Sequence, residues 1–410
     1  MVTLRTGVEG DYDEVNQLVQ RAFLNDTAGR EWDEERALFE PGRSVLAVDG
    51  ERVVGHVGTY TRNLTVPGGV LPAGFVTVVA VAGTHRRRGL ASAMLTRQLG
   101  EIRDRGEALA LLWASEAGIY GRYGYGLASR RLSFEIDRRE VRVDGSRFDK
   151  SRLDGLRLQA GPAAAHRAQV ADLYEQARPA RPGFASRDPR WWDYRLADQA
   201  WHRGGAGPLQ AVVCLDGDTP VGYALYRFRS SWNDSGPNGE VGVMETVAAT
   251  PAAYTLLWDY LLNVDLTRTV GLWLGALDEP LQYLVNDPRR LGMRMGDGLW
   301  ARLLDVPAAL RARRYAAEVD VVLEVVDEVL PGSGGVFRLR GGPDHAACEP
   351  TADQPDLRLD TATLAAAYLG GNSLGALAAA GRVDELHPGA VATTAPAFTW
   401  TRAPHGMEIF

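Results

Sequence analysis

The 410-residue chain has only two cysteines, Cys214 and Cys348. They are too few and too far apart for a disulfide framework or a zinc site, and they suit a reducing cytoplasm. No apolar run approaches the roughly 20 residues that a membrane helix needs. Met1 to Asp11 shows no basic region followed by an apolar run, so no signal peptide is expected. Positive charge is in deficit: 45 Lys and Arg stand against 52 Asp and Glu, a net charge of -7. That balance argues against a nucleic-acid partner and is compatible with a cationic substrate. The seven histidines are scattered, so no metal site is expected, and His56 and His85 are candidate bases by type alone. No long low-complexity linker separates the domains, of which this length should hold two or three. The tryptophans, Trp113, Trp191, Trp192, Trp258 and Trp273 among them, are expected in the core or at interfaces rather than as base-stacking platforms.

The most specific stretch runs from Val78 to Ala91. It reads as an apolar strand through Val81, a basic turn Thr84-His85-Arg86-Arg87-Arg88-Gly89, and a helix through Met94, Leu95, Leu99 and Ile102 at helical spacing. Unpaired N–H groups at a helix start attract anions, phosphate above all. Gly89 lets a phosphate approach the backbone, and the arginines add positive charge. The plain alternative is a surface turn with three solvated arginines. Ahead of this stretch lie an amphipathic helix (Val15, Leu18, Val19, Ala22, Phe23), a hairpin across Asp49-Gly50, and strands near Asn63–Val66 and Gly74–Val81. A buried strand at Ala108–Trp113 follows it.

A second unit repeats this order at a shift of 167 residues. Asp49 to Gly55 falls on Asp216 to Gly222, and Val81-Ala82-Gly83-Thr84 falls on Ala248-Ala249-Thr250-Pro251. A helix at about Ala165–Ala177 takes the place of the first. Repetition at this scale implies a duplicated fold. The positions matching Arg86, Gly89 and Ala91 are Ala253, Leu256 and Trp258, so the second copy is expected to have lost the anion site, with a bulky indole in its way. A third unit starts after Asp305-Val306-Pro307. Strands are expected at Tyr315–Val326, Gly335–Leu339 and Ala397–Thr401, and short helices at Thr361–Leu369 and Ser373–Ala380.

The pattern Arg86-x-x-Gly89-x-Ala91 after a strand resembles the pyrophosphate motif of the GNAT N-acetyltransferases, which hold acetyl-CoA this way. Tyr120-Gly121-Arg122-Tyr123-Gly124-Tyr125 resembles the Tyr-x-basic-x-Gly-aromatic pattern of the same enzymes. Over its whole length the chain is similar to the Eis family of actinobacterial aminoglycoside N-acetyltransferases. Thr84 to Leu90 and Ser115 to Arg122 carry that likeness most specifically.

The resemblance implies a mixed α+β and α/β chain: tandem GNAT folds, the second degenerate, then a sterol-carrier-protein-like domain. The boundaries are expected at 1–145, 146–304 and 305–410. It implies acetyl-CoA as cofactor, held at its thioester end by Val79, Ala80 and Val81. Arg87, Arg88, Gly89, Leu90, Ala91 and Ser92 would surround the pyrophosphate, with Ser115 and Glu116 near the pantetheine arm. Tyr120 would be the general acid on the leaving thiolate, and its type suits the task, since a tyrosine stays protonated at neutral pH. Tyr123 and Tyr125 are rivals by type. The carboxylate of Phe410 would be the general base, the plain alternative being a frayed chain end.

Phe23, Asn25, Asp26, Trp32 and Glu408 are expected to line a pocket for a small polyamine, although Phe23 also completes an apolar stripe. The crowded acids Asp26, Glu31, Asp33, Glu34 and Glu35 would draw in a polycation. Family members are hexamers, so a homohexamer is expected. Two other functions remain open: acetylation of protein lysines or N-termini, and lipid binding by the carrier-like domain with a vestigial GNAT part.

Overall fold

A computed structural model describes residues 1–25, 32–145 and 155–410. They divide into two units. The first comprises Met1–Ser129, Gly298–Pro404 and Ile409–Phe410; the second comprises Arg130–Asp297 and His405–Glu408.

In the first unit β1 (Val2–Thr6), α1 (Tyr12–Ala22), α2 (Asp33–Leu38) and β2 (Val45–Asp49) lead into two long strands, β3 (Arg52–Val66) and β4 (Gly69–Val81). Then come α3 (Leu90–Asp104), β5 (Leu109–Trp113), α4 (Ala117–Tyr120) and β6 (Gly126–Leu127). The segments expected as separate strands at 53–60 and 63–66 are one continuous strand. Thr61 and Asn63 face outward between buried residues, and the turn at Pro67-Gly68 reverses the chain into β4. One face of the sheet packs on α3, through Met94, Leu95, Leu99 and Ile102 with Val45, Ala47, Val57, Val76 and Leu112. The other packs on α1, through Val15, Leu18 and Val19 with Leu46, Val53 and Ala80. Each fully buried Val, Leu, Ile or Met side chain among them contributes about 1.5–3 kcal/mol.

The second unit opens with β7 (Arg130–Asp137) and β8 (Leu156–Pro162), then α5 (Arg167–Ala177), α6 (Pro189–Leu196), β9 (Gln210–Asp216) and β10 (Thr219–Arg229). A short ribbon of β11 (Trp232–Asn233) and β12 (Gly236–Pro237) precedes β13 (Gly239–Ala248), α7 (Pro251–Leu262), β14 (Thr267–Gly275) and β15 (Arg294–Asp297). Its sheet order is β15-β7-β14-β13-β10-β9-β8. The duplicated order of elements is therefore present.

The units do not follow the expected boundaries at 145 and 304 strand for strand. β7 precedes residue 145 and pairs with β14 and β15. Before residue 304, β16 (Leu299–Leu303) joins the first sheet, whose order is β1-β2-β3-β4-β5-β16-β6. Pairing partners, which local spacing does not carry, decide this.

The remaining strands, β17 (Val319–Val326), β18 (Gly335–Gly341), β19 (Ala346–Pro350), β20 (Leu357–Asp360) and β21 (Val383–Glu385), form a sheet in the order β19-β18-β17-β20-β21. The helix Thr361–Tyr368 is buried at every position. It lies so close to β6 that a Cβ on Gly126 would meet the carbonyl of Ala362 at 1.9 Å. The buried pair Arg302–Asp327, at 2.5 Å, ties β16 to this part of the unit. The strand expected at Ala397–Thr401 is absent. Ala395–Phe398 forms a 3-10 turn with Pro396 at its start, because Phe398 is drawn in against Tyr315 and the guanidinium of Arg313.

Candidate acetyl-transfer site

β4 and β5 are parallel, but they pair only at Gly74–Ala110 and Phe75–Leu111. Beyond that point both strands continue, to Val81 and to Trp113, without a shared ladder. The gap between them exposes backbone groups that a complete sheet would have paired.

The pairing of β4 with β3 also slips between His56 and Gly58, which leaves one extra residue on β4. Such a bulge re-aims the backbone. Val78 sits in it at φ +43°, a conformation that costs a β-branched residue on the order of 1–3 kcal/mol. The N–H of Ala82 donates to the carbonyl of Val54, and Ala80 is opposite His56. By the alternation of an antiparallel ladder, Ala80 also faces β3 while Val79 and Val81 face the other way, toward the gap. Of the three residues expected at the thioester, the structure thus turns these two outward.

After β4 a 3-10 turn, Gly83–His85, leads to the basic turn. Arg87 has φ +62° and Gly89 φ +77°. Left-handed residues of this kind turn successive amides toward one side, an anion-binding concavity. Gly89 is the N-cap of α3 and supplies no side-chain cap. The first N–H groups of α3, on Leu90, Ala91 and Ser92, therefore have no acceptor one turn earlier. A Cβ on Gly89 would meet nothing within 4 Å, so the space before the helix is open. Arg87 and Arg88 are exposed beside it. Backbone donors, a helix start, guanidinium groups and open room together suit a pyrophosphate.

The three tyrosines differ in their bonding. The Tyr123 hydroxyl is 2.8 Å from Ser92 Oγ. Tyr125 is fully buried, its hydroxyl has no hydrogen-bond partner, and burial raises its pKa. Tyr120 stacks edge-on against Tyr125 at 6.0 Å. Burial raises its pKa too, with Glu116 adding to the rise and a hydrogen bond with Ser115 opposing it. Its proton is held more firmly than in water, so the phenol stays protonated at neutral pH. Ser115 is therefore on the tyrosine, and Glu116 is the N-cap of α4.

The Phe410 ring packs edge-on against Phe75 at 4.8 Å. Phe75 belongs to the last pair before β4 and β5 part, so the chain end is docked beside the gap. Phe23 caps the end of α1 and is 45 % exposed, outside the apolar stripe it would complete. The Asn25 amide donates to Gln20 Oε1. Trp32 is the N-cap of α2, and its carbonyl accepts from Tyr12 at 3.3 Å. Asp26 and Glu31 lie outside the described residues. Asp33, Glu34 and Glu35 occupy the first turn of α2. Glu35 is held protonated to a higher pH by burial and by its two acidic neighbours.

Glu408 is in the second unit. Arg187 donates to it at 2.9 Å and grips Glu245 with both terminal nitrogens, and the guanidinium stacks over Tyr174 and Trp192. Met407 enters the apolar cluster of the same unit. Neither Arg187 nor Phe75 carried a motif. Only their contacts reveal them.

The two histidines each have partners within the fold. His85 Nε2 is 3.2 Å from Asp49 Oδ2. His56 is enclosed, and burial pushes its pKa down to about 4. Among the described residues no group of three or more His, Cys, Asp or Glu could hold a metal ion. No helix among them is long and apolar enough to cross a membrane.

A bulged strand, a split parallel pair and a basic turn at a helix start define the chain as an acyltransferase of the GNAT class. Comparison agrees. Residues 3–128 and 183–306 each match an acetyltransferase (GNAT) domain, and residues 306–406 match a sterol carrier protein domain. An uncharacterized N-acetyltransferase of Streptomyces avermitilis is 43% identical over 92% of this chain and 93% of its own length. The N-acetyltransferase Eis of Mycobacterium tuberculosis is 36% identical over 93% of both chains. The crystal structure of Eis1 from Mycobacterium abscessus superposes with a TM-score of 0.83 at 34% identity, covering 100% of each chain. The chain belongs to the Eis-like family of GNAT N-acetyltransferases, with tandem GNAT domains and a C-terminal sterol-carrier-like domain.

Proposed function

We infer that this enzyme transfers the acetyl group of acetyl-CoA to primary amines of small multi-amine molecules, aminoglycosides among them. The observation that carries the reading is the bulge at Val78, which turns amides into the β4/β5 gap directly ahead of the basic turn. Acetyl-CoA supplies an acetyl group activated as a thioester. Arg87, Arg88, Gly89, Leu90, Ala91 and Ser92 hold its pyrophosphate, and Ser115 and Glu116 flank its pantetheine arm. Val79 and Val81 donate N–H groups to the thioester end, one of them polarising the carbonyl. Tyr120 gives its phenolic proton to the departing sulfur. The carboxylate of Phe410 takes a proton from the substrate amine. A free carboxylate with a pKa of about 3.3–3.7 is a weak base for an alkylammonium, so the site must lower the amine's pKa or raise the carboxylate's.

The acids at the start of α2 favour a polycationic substrate, with Phe23 and Trp32 lining its pocket. Trp273, Met244 and Met295 are exposed in the second unit, apolar surface suited to contacts within a homohexamer. Sedimentation would measure that assembly. Two buried free thiols suit the reducing cytoplasm.

The test is thiol release from acetyl-CoA with aminoglycosides, polyamines and a lysine peptide. Release with aminoglycosides is expected. Release with the peptide alone would transfer the function to protein acetylation, and no release with any amine would end the enzymatic reading.

A further inference from the structure

His56 stands on β3 opposite Ala80, next to the slip in the ladder. Its Nδ1 is 3.0 Å from the carbonyl oxygen of Val78, the residue that forms the bulge in a left-handed conformation. A carbonyl only accepts, so Nδ1 carries the proton and donates. On the far side of the ring, Nε2 is 3.2 Å from Ser44 Oγ. A neutral ring protonated at Nδ1 has an acceptor at Nε2, and it faces the serine hydroxyl, whose single proton is shared with the Glu40 carbonyl at 3.4 Å. The Nδ1–H bond fixes the tautomer.

The ring is almost fully buried, with Phe39 tilted against it at 6.5 Å. The charged group that bears on it is the Asp11 carboxylate, which is itself held by Arg5. Both ring nitrogens are engaged inside the fold, by Val78 and by Ser44.

We propose that His56 is a positioning residue for acetyl transfer, its Nδ1–H bond to the Val78 carbonyl holding the bulge that aims the Val79 and Val81 amides at the acetyl carbonyl. A β-branched residue does not rest in this conformation unaided. If the carbonyl of Val78 is released, the peptide that follows it rotates, and that peptide carries the Val79 N–H. The role rests on the reading of those amides as donors to the thioester.

The experiment compares His56→Leu, which removes the donor, with His56→Asn, whose side-chain amide can donate from about the place of Nδ1. In His56→Leu, kcat for acetyl transfer is expected to fall roughly 10- to 100-fold, as for a misplaced oxyanion donor. The dissociation constant of free coenzyme A, held mainly at the basic turn, should change less than about threefold, since that turn is untouched. His56→Asn should recover most of the lost rate. A wild-type kcat in His56→Leu, or no recovery in His56→Asn, overturns the proposal. Long-range 1H–15N spectra of the histidine-labelled wild-type protein test it without any variant. A ring protonated at Nδ1 is expected, and one protonated at Nε2 overturns the proposal. A wild-type protein inactive on every amine would sink the functional reading, and the spectra would still decide whether His56 holds the bulge.

Discussion

The two GNAT copies share a scaffold and differ at its chemical end. Both carry a slip in the ladder, between His56 and Gly58 in the first and, further along the strand at the 167-residue shift, between Leu225 and Tyr226 in the second. At the 167-residue shift, His56 falls on Tyr223 and Val78 falls on Glu245. In the first copy the ring donates to the bulge carbonyl. In the second, the Tyr223 hydroxyl donates to the Glu245 carboxylate, which also accepts from Arg187 and Arg195. One pair of positions thus serves backbone geometry in one copy and a buried ion network in the other.

The helix starts differ as well. α3 begins at Leu90 behind an uncapped glycine turn, whereas α7 begins at Pro251, six positions earlier at the same shift. Thr250 Oγ1 accepts from the Ala253 N–H there, and the proline has no N–H to offer. The second copy therefore lost its anion site through its own capping. The indole expected in the way does not do this. Trp258 is buried in the core of the unit, in the middle of α7. The helix start in the second copy is closed by its own cap rather than blocked by bulk.

Four changes would break or sharpen this contrast. Arg187→Met has the largest expected effect on stability, because it leaves Glu245 and Glu408 buried without their shared partner. Urea unfolding should show a loss of about 3–5 kcal/mol, and an unchanged midpoint would show that the network is not structural. Tyr120→Phe should lower kcat by roughly 10²–10³ while acetyl-CoA binding holds within about twofold; a wild-type rate would remove this residue as the acid. Gly89→Val makes the first turn resemble the second. A β-branched residue at φ +77° also strains the cradle, so acetyl-CoA affinity should fall about 10- to 100-fold by calorimetry, with kcat at saturation largely kept.

The smallest effect is in pH. His56 is depressed to about 4 in the fold, against about 6.5 unfolded. Between these values the unfolded chain binds more protons, so stability rises with pH and is lost on acidification from about 6.5 toward 4. The slope is at most about 1.4 kcal/mol per pH unit. His56→Leu should flatten it, and a slope unchanged in that variant would assign it to other groups.

The basic turn and Tyr120 were legible in the sequence because each is a local pattern at a fixed spacing. The duplication was legible because it repeats at a fixed shift. Phe410 was legible only through resemblance. The bulge at Val78 was not, since an extra residue on one strand shows only once its partner is known. The roles of His56, Phe75 and Arg187 were equally hidden, because their partners are distant in the chain.

The sequence by itself determined the order of elements, the place of the anion turn and the loss of its counterpart. These follow from periodicity, turn chemistry and the identity of single residues. Only the tertiary structure decided that β7 and β16 take places in sheets other than chain order suggests, and that β4 parts from β5 beyond Phe75. It also decided that one histidine bonds to the carbonyl of a bulge. Strand pairing, burial and hydrogen-bond satisfaction are properties of residues brought together from afar, and they select among roles that local sequence leaves equal.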